Sequence, residues 1–210
     1  MRRFLFISDF DGTMTSQDFF LQIMYRYEHD KVFSTNWKSG FDLLADVFSS
    51  INLSEVELQN EIEHIPLDPY FVDAVNLVKN CGGDFLILSA GCKYYIEKKL
   101  NLVGINNVDI IANDGVYKNG GIELIRDRNH RFYSEKFGID KEKGVKYFRN
   151  RYEIIAYAGD SFVDFDACKL CDLKFSKGRL EKILNLFAID HYNFKNFSDI
   201  VEILNNELKQ

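Results

Sequence analysis

Four short apolar runs, rich in branched and aromatic residues, recur along the chain. They are FLFIS at 4–8, DFLILSA at 84–90, VDIIA at 108–112 and EIIAYA at 153–158. Continuous runs of this kind are typical of strands that are buried on both faces of a parallel sheet. Stretches of helical character separate them, among them 93–104 and 141–152. This alternation predicts a doubly wound parallel α/β sheet with right-handed crossovers.

Shorter elements are predicted in the rest of the chain. Two further strands are expected within 172–176 and 187–194, before a terminal helix over 198–210. The segment 115–125 places Asn-Gly-Gly between two runs of strand character, which is typical of a hairpin turn. We therefore expect an antiparallel hairpin between the third and fourth apolar runs.

Residues 16–69 interrupt the alternation with helical patterns alone. Apolar residues recur there at helical spacing in two stretches: Phe19, Phe20, Ile23, Met24 and Tyr27, then Phe41, Leu44, Val47, Phe48 and Ile51. Ser54 and Glu57 form a capping-box pair that opens a third helix, and the two prolines of the chain close the segment. The pattern predicts a small helical cap domain at 16–69, inserted into a core domain made of 1–15 and 70–210.

The composition excludes several classes of protein. The 210 residues are 46% hydrophobic and 28% charged, which is typical of a globular chain. A net charge of −6 argues against nucleic acids and anionic membranes as partners, because both attract a basic face. No apolar run approaches the roughly 20 residues of a membrane-spanning helix, and the first run is shorter than the apolar region of a signal peptide. We therefore expect a cytoplasmic protein.

Two of the four cysteines, Cys168 and Cys171, are separated by two residues. A zinc site needs about four ligands, and no second pair with ligand spacing accompanies these two. Spacing of three places both thiols on one helical face, where small apolar residues pack. We therefore expect both cysteines to be packing residues.

Polar residues follow three of the four apolar runs. Asp9 and Asp11 follow the first run, Ser89 and Gly91 end the second, and Asp160 follows the fourth. Ligands bind open parallel sheets beyond the carboxyl ends of the strands, so these groups are expected to converge. Two carboxylates one residue apart repel each other, and such a pair is tolerated where a cation or a reaction uses it. The sequence therefore predicts a functional site at this edge of the sheet.

Four motifs in this order resemble those of the haloacid dehalogenase-like superfamily. They are DFDGT at 9–13, LSAG at 88–91, a lysine near position 143 and GDSFVD at 159–164. The resemblance covers nearly the whole chain, because the helical insert after the first motif also matches the capped members. Within the superfamily the chain looks most like the phosphoserine phosphatase group, and there most like the 2-hydroxy-3-keto-5-methylthiopentenyl-1-phosphate phosphatases of methionine salvage.

The resemblance implies a Mg²⁺-dependent phosphatase that forms an aspartyl-phosphate. Asp9 would be the nucleophile and a metal ligand. Asp11 would act as general acid and base, and would bind the metal ion through its backbone carbonyl. Asp160 would bind the metal ion through its carboxylate. Asp164 would support the metal ion directly, or through a water molecule or a lysine.

The second motif and a lysine are expected to bind the phosphate group. Ser89, with the backbone N–H groups of Ala90 and Gly91, would hold the phosphate oxygens where a helix begins, which is a natural anion site. A lysine must offset the remaining negative charge. Three lysines compete for this role: Lys141, Lys143 and Lys146. Lys143 matches the family position, and Lys141 is the alternative.

One acidic residue and the scarcity of arginine bear on the substrate. Asp18 lies at the spacing after Asp9 where the family places an acidic cap residue, so it could select the substrate by binding a hydroxyl or an amine. In the phosphoserine branch a cap arginine binds the substrate carboxylate, whereas no arginine lies between Arg26 and Arg126 in this chain. We therefore expect a small phosphorylated metabolite with a neutral body, such as a sugar or a keto compound.

Two other functions stay open on this scaffold. A phosphotransferase or mutase uses the same aspartyl-phosphate and would yield a rearranged ester instead of free phosphate. A non-catalytic ligand-binding protein is the other alternative, because a fold alone does not fix function. Intact Asp9 and Asp11 argue against that alternative. The sequence does not indicate an oligomeric state.

Overall fold

The computed structural model describes residues 2–27 and 37–208. Its strands follow the apolar runs of the sequence and several shorter segments. They are β1 (Arg2–Ser8), β2 (Asp84–Cys92), β3 (Asp109–Asn113), β4 (Gly115–Lys118), β5 (Gly121–Leu124), β6 (Tyr133–Ser134), β7 (Gly138–Ile139), β8 (Tyr152–Gly159), β9 (Leu173–Ser176) and β10 (Tyr192–Asn193). Each of the four apolar runs is therefore a strand.

Helices occupy much of the chain between these strands. They are α1 (Phe19–Tyr27), α2 (Gly40–Ser50), α3 (Glu55–Glu63), α4 (Phe71–Asn80), α5 (Lys93–Leu102), α6 (Lys141–Arg149), α7 (Phe165–Cys168), α8 (Gly178–Leu186) and α9 (Phe197–Glu207). The predicted capping box opens α3, because the Ser54 side chain accepts from the Glu57 N–H and the Glu57 side chain accepts from the Ser54 N–H. Among the helices in the described ranges, none is long and apolar enough to cross a membrane.

Six strands form one sheet in the order β10-β9-β8-β1-β2-β3. β1 pairs in parallel with β8 and β2, and Ser8 lies opposite Ala158 on one side and Ile87 on the other. The β8–β9 and β9–β10 pairs are also parallel. Parallel neighbours need crossover connections, which the helices supply. The predicted doubly wound α/β fold is confirmed.

Aromatic side chains fix the central strand of this sheet. Phe6 of β1 stacks on Phe85 with ring centroids 5.1 Å apart, and it also packs against Phe175 and Phe197. All four rings are buried, and burial of such a side chain contributes about 1.5–3 kcal/mol. The end of β1, where Asp9 follows, is therefore held by a well-packed core.

The chain divides into two compact units. The first contains Met1–Ser16, Leu67–Leu88 and Lys141–Gln210, and the second contains Gln17–Pro66 and Ser89–Asp140. The predicted insert at 16–69 falls almost entirely in the second unit, and its positions 28–36 lie outside the described residues. The function of this insert as a cap stays a prediction.

The second unit is larger than the predicted insert because aromatic side chains join distant segments. Phe19 of α1 and Phe48 of α2 pack on Tyr95 of α5, with ring centroids 4.6 and 5.8 Å apart. The predicted hairpin belongs to the same unit and is confirmed as the antiparallel pair β4–β5. Asn119 and Gly120 both have positive φ, 52° and 86°, as a two-residue hairpin turn requires.

Candidate active site

Asp9 is the first residue after β1, and the sheet fixes its position. Its backbone N–H donates a hydrogen bond to the Ala158 carbonyl of β8, at 2.9 Å. The residue is 5% exposed. Because β1 and β8 run in parallel and in register, the residues that follow them leave the sheet at the same edge.

Three carboxylates gather at this edge. Oxygen atoms of Asp9, Asp160 and Asp164 lie within 4.8 Å of one another. Asp9 and Asp164 are buried, and Asp160 is partly buried. Like charges at this separation repel, so the cluster requires positive charge. Carboxylate oxygens are the ligands that hard divalent cations prefer, and the group could therefore hold a metal ion.

Lys141, the first residue of α6, brings positive charge into the cluster. Its Nζ lies 2.7 Å from Asp9 Oδ1 and 2.6 Å from Asp164 Oδ1, and its side chain is 2% exposed. Burial opposes the charged form of Lys141, but the charges of Asp164 and Asp9 raise its pKa above the ordinary value. The ammonium group is therefore held in its charged form by two buried carboxylates.

Lys143, the expected phosphate-binding lysine, lies away from this cluster. It is exposed, and two residues along a helix turn a side chain by about 200° from Lys141. Lys141 instead shares the buried face of α6 with Gly144 and Val145, at spacings of three and four. Of the two lysines, Lys141 is therefore the one that contacts the carboxylates of the cluster, and phosphate binding by either lysine stays a prediction. The spacing to Val145 is the signal in the sequence that points to Lys141.

Both carboxylate oxygens of Asp164 are engaged by donors of the protein. Lys141 Nζ and Tyr157 Oη share Oδ1, at 2.6 and 2.8 Å. The N–H groups of Asp160 and Ser161 and the Ser161 hydroxyl donate to Oδ2, at 3.3, 3.0 and 2.9 Å. Five donors fill the acceptor sites of one carboxylate. Asp164 therefore positions Lys141 and the loop after β8, and its support of a metal ion stays a prediction.

The three carboxyl groups differ in pKa. Burial raises the pKa of Asp9 well above its ordinary value, and the negative charges of Asp164 and Asp160 raise it further. The positive charge of Lys141 lowers this pKa, but by less than burial raises it. Burial and the charge of Asp164 raise the pKa of Asp160 to about 6. Burial also disfavours the charged form of Asp164, but the charge of Lys141 and the hydrogen bonds from Lys141, Ser161 and Tyr157 together outweigh burial, so the pKa of Asp164 lies below its ordinary value. A cation at Asp9 and Asp160 would therefore relieve the least compensated charges.

Three residues that the sequence analysis did not single out support Asp160. The Thr13 hydroxyl donates to Asp160 Oδ1 at 3.0 Å, and Lys177 Nζ donates to the Thr13 carbonyl at 2.9 Å. Gly12 has a φ of 73°, and a Cβ at this position would overlap the Asp160 carboxylate. The first motif explains Gly12 and Thr13, whereas no local pattern marks Lys177, because its contact depends on the pairing of distant strands.

Asp11 and Asp18 have different surroundings. Asp11 is half-buried in the turn that follows Asp9. Asp18 Oδ1 accepts a hydrogen bond from the Leu21 N–H at 3.1 Å, where α1 begins. This bond is typical of an aspartate that caps a helix N-terminus. A contact between Asp18 and a substrate stays a prediction.

Ser89, Ala90 and Gly91, the expected phosphate-binding residues, lie near the end of β2. The Gly91 N–H donates to Ser89 Oγ at 3.0 Å, and the Ala90 carbonyl accepts from Asn113 Nδ2 at 2.8 Å. α5 begins at Lys93, two residues beyond Gly91. These residues thus lie at a strand end directly before a helix, where the Gly91 N–H binds the serine hydroxyl, and their binding of phosphate stays a prediction.

Cys168 and Cys171 are buried and free. Burial raises the pKa of both thiols, that of Cys171 to about 12. The Cys171 thiol lies 3.4 Å from the Ala167 carbonyl. Both residues therefore pack in the core, as the sequence predicted.

Comparisons with known proteins agree with this fold. No family model matches the chain. The bifunctional enzyme MtnB/MtnX of Bacillus licheniformis is 24% identical over 97% of the chain, which spans 50% of that enzyme's length. A 2-hydroxy-3-keto-5-methylthiopentenyl-1-phosphate phosphatase of Exiguobacterium sibiricum is 24% identical, with 94% of each chain covered.

A solved structure of phosphoserine phosphatase in its apo form shares the fold. It has a TM-score of 0.70 and 18% identity, and the match covers 97% of this chain and 98% of that one. The resemblance to haloacid dehalogenase-like phosphatases that the four motifs predicted is thereby confirmed.

Proposed function

We propose that the protein is a Mg²⁺-dependent phosphatase that hydrolyses a small phosphorylated metabolite through an aspartyl-phosphate on Asp9. One observation carries this proposal: Lys141 bridges Asp9 and Asp164 at 2.7 and 2.6 Å, beside the carboxylate of Asp160. This arrangement holds one carboxylate at a strand end next to fixed positive charge, as a carboxylate nucleophile requires. The relative from Exiguobacterium sibiricum, which is named a phosphatase, supports the same reaction.

The reaction would proceed in two steps at phosphorus. In the first, an oxygen of Asp9 forms a bond to phosphorus while the bond to the ester oxygen breaks, and Asp11 protonates the leaving alcohol. In the second, Asp11 takes a proton from a water molecule, the water oxygen bonds to phosphorus and the Asp9 carboxylate is released. The products are an alcohol and inorganic phosphate.

Positive charge is needed because a phosphate monoester repels a carboxylate nucleophile. Lys141 would supply part of this charge next to Asp9. The carboxylates of Asp9 and Asp160 and the backbone carbonyl of Asp11 would hold Mg²⁺, and these oxygen donors suit a hard cation. When bound, the metal ion supplies electrostatic stabilisation to the phosphoryl oxygens. Asp164 would hold Lys141 in place.

Ser89 would donate its hydroxyl hydrogen to a phosphate oxygen, as the family resemblance implies. A hydroxyl group has one hydrogen to donate and two acceptor sites. Because Ser89 Oγ accepts from the Gly91 N–H, its own hydrogen is left for another oxygen. This arrangement supports Ser89 as a phosphate-binding residue.

Metal removal tests the proposed function. We expect EDTA to abolish phosphate release from a panel of phosphorylated metabolites and Mg²⁺ to restore it. Ca²⁺ should inhibit the reaction, because it favours looser and higher coordination than Mg²⁺. Free phosphate and all ester products are measured with the purified chain. Free phosphate in equal amount to the alcohol supports hydrolysis, whereas a rearranged ester would indicate a mutase. Undiminished activity after exhaustive chelation would refute the metal assignment.

Two of the four arginines of the second unit, Arg26 and Arg126, support a substrate without a carboxylate. Arg26 pairs with Glu61 at 2.6 Å. Arg126 pairs with Asp42 and Glu135 at 2.5 and 3.1 Å. A guanidinium group that is already engaged by protein carboxylates has fewer donors to offer a substrate carboxylate. These pairs support a neutral substrate body.

We therefore expect weak activity on phosphoserine and better activity on neutral phosphorylated sugars or keto compounds, including methionine-salvage intermediates. The expected kcat/KM for phosphoserine is about tenfold or more below that for the best neutral ester, because its carboxylate would lose solvent while Arg26, the arginine of the insert, is already paired with Glu61. Initial rates over a range of substrate concentrations measure this ratio. A kcat/KM for phosphoserine that equals or exceeds that of every neutral ester tested would overturn the assignment.

A further inference from the structure

Asn113 ends β3 inside the second unit and binds two backbone carbonyls. The residue is 4% exposed. Its Nδ2 donates to the Ala90 carbonyl at 2.8 Å and to the Phe137 carbonyl at 3.0 Å. Carbonyl oxygens can only accept, so these two partners fix which end of the amide faces them. One buried side chain thus joins the end of β2 to the segment before β7.

The bond to Ala90 also fixes the orientation of the neighbouring N–H group. A trans peptide is planar, and its C=O and N–H bonds point in opposite directions. The Ala90 carbonyl and the Gly91 N–H belong to the same peptide, so holding the first orients the second. The Gly91 N–H in turn donates to Ser89 Oγ at 3.0 Å. Asn113 is therefore linked to the Ser89 hydroxyl through a single rigid peptide.

Gly138 gives the Asn113 amide its space. A Cβ at this position would overlap Asn113 Oδ1, and Gly138 has a φ of 76°, which side chains rarely adopt. A glycine is therefore required at the start of β7, where the backbone passes the amide. The amide thus has a defined position between two carbonyls and a glycine.

We propose that Asn113 is a positioning residue for phosphate binding: it fixes the Ala90–Gly91 peptide, which holds Ser89 Oγ and leaves the hydroxyl hydrogen for the phosphate. The inference rests on the proposed phosphatase function and deepens it. A purely stabilising role is the competing explanation, because two part-buried carbonyls without donors destabilise a fold. The two roles differ in one respect, since positioning acts through Ser89 and stabilisation does not.

A double-mutant cycle separates the two roles. The variants are Asn113→Ala, Ser89→Ala and the pair together, and the measurements are KM for the best ester of the panel and inhibition by orthovanadate. We expect Asn113→Ala to raise KM and to weaken orthovanadate inhibition by about 3- to 10-fold in the parent chain. In the Ser89→Ala background the same substitution should change both by less than about twofold.

Equal effects of Asn113→Ala in both backgrounds, or no effect in the parent chain, would overturn the inference. If Ser89→Ala alone leaves KM and inhibition by orthovanadate unchanged, Ser89 does not bind the phosphate. That result would overturn both the proposed role of Ser89 and the inference on Asn113. Asn101→Ala is the matched control, because it removes the side-chain amide of an exposed residue on α5. Circular dichroism and thermal unfolding check each fold, and Asn113→Leu, which keeps the branched shape of the side chain without its hydrogen-bond donor, replaces Asn113→Ala if the latter is unfolded.

Discussion

Asp9→Asn is expected to abolish phosphate release while the chain stays folded. The substitution keeps the shape of the side chain but removes the carboxylate that would attack phosphorus, together with one metal ligand. The fold should tolerate it, because burial already raises the pKa of Asp9 and a neutral amide is easier to bury than a charge. Lys141 also keeps its second carboxylate, Asp164, at 2.6 Å. Phosphate release and thermal unfolding are measured on the same preparation.

Asp11→Asn is the matched comparison for this experiment. It keeps the nucleophile and the backbone carbonyl, so we expect metal binding to persist and the rate to fall by about 10² to 10⁴, as for other lost acid–base groups. An aryl phosphate, whose leaving group needs no protonation, should recover part of the loss. If folded Asp9→Asn kept a tenth of the parent rate, the covalent mechanism would have to be abandoned.

The strands and the acidic residues of the site could be predicted from the sequence because both depend on short-range patterns. Buried parallel strands give continuous apolar runs, and the residues that follow them lie at one sheet edge. This reasoning places Asp9 and Asp160 at that edge, and the structure brings their carboxylates together. The choice between Lys141 and Lys143 needed the helical phase of α6 as well.

Other features depend on contacts between distant segments and have no local signal. Tyr157 is one of an unbroken series of apolar residues in β8, and its hydroxyl bond to Asp164 follows from the path of the chain after the strand. The extent of the second unit is a second case, because the packing of Phe19 and Phe48 on Tyr95 joins the insert to α5. Periodicity predicts which face of a helix is buried, but it does not identify the surface that covers that face.

Lys141→Met is expected to reduce both stability and activity, while Lys143→Met should change neither appreciably. Removal of Lys141 leaves Asp9 and Asp164 buried without the cation that lies 2.7 and 2.6 Å from them. Removal of one partner from a buried ion pair costs about 3–5 kcal/mol in the free energy of unfolding. Loss of preorganised charge next to the reacting group costs a further factor of about 10² to 10³ in rate. An exposed substitution such as Lys143→Met stays within about 0.5 kcal/mol.

The pH dependence of unfolding identifies the cause of the Lys141→Met loss. Lys141 lowers the pKa of Asp164 in the parent, so its removal raises the pKa of Asp164 and raises that of Asp9 further, and the folded variant binds more protons. Its stability should therefore rise as the pH falls through the raised pKa, and the difference from the parent should narrow between about pH 8 and about pH 5. Urea unfolding in metal-free buffer measures this difference. A gap that is constant over this range would show that Lys141 acts by packing, and a larger loss of activity in Lys143→Met would restore Lys143 as the lysine of the site.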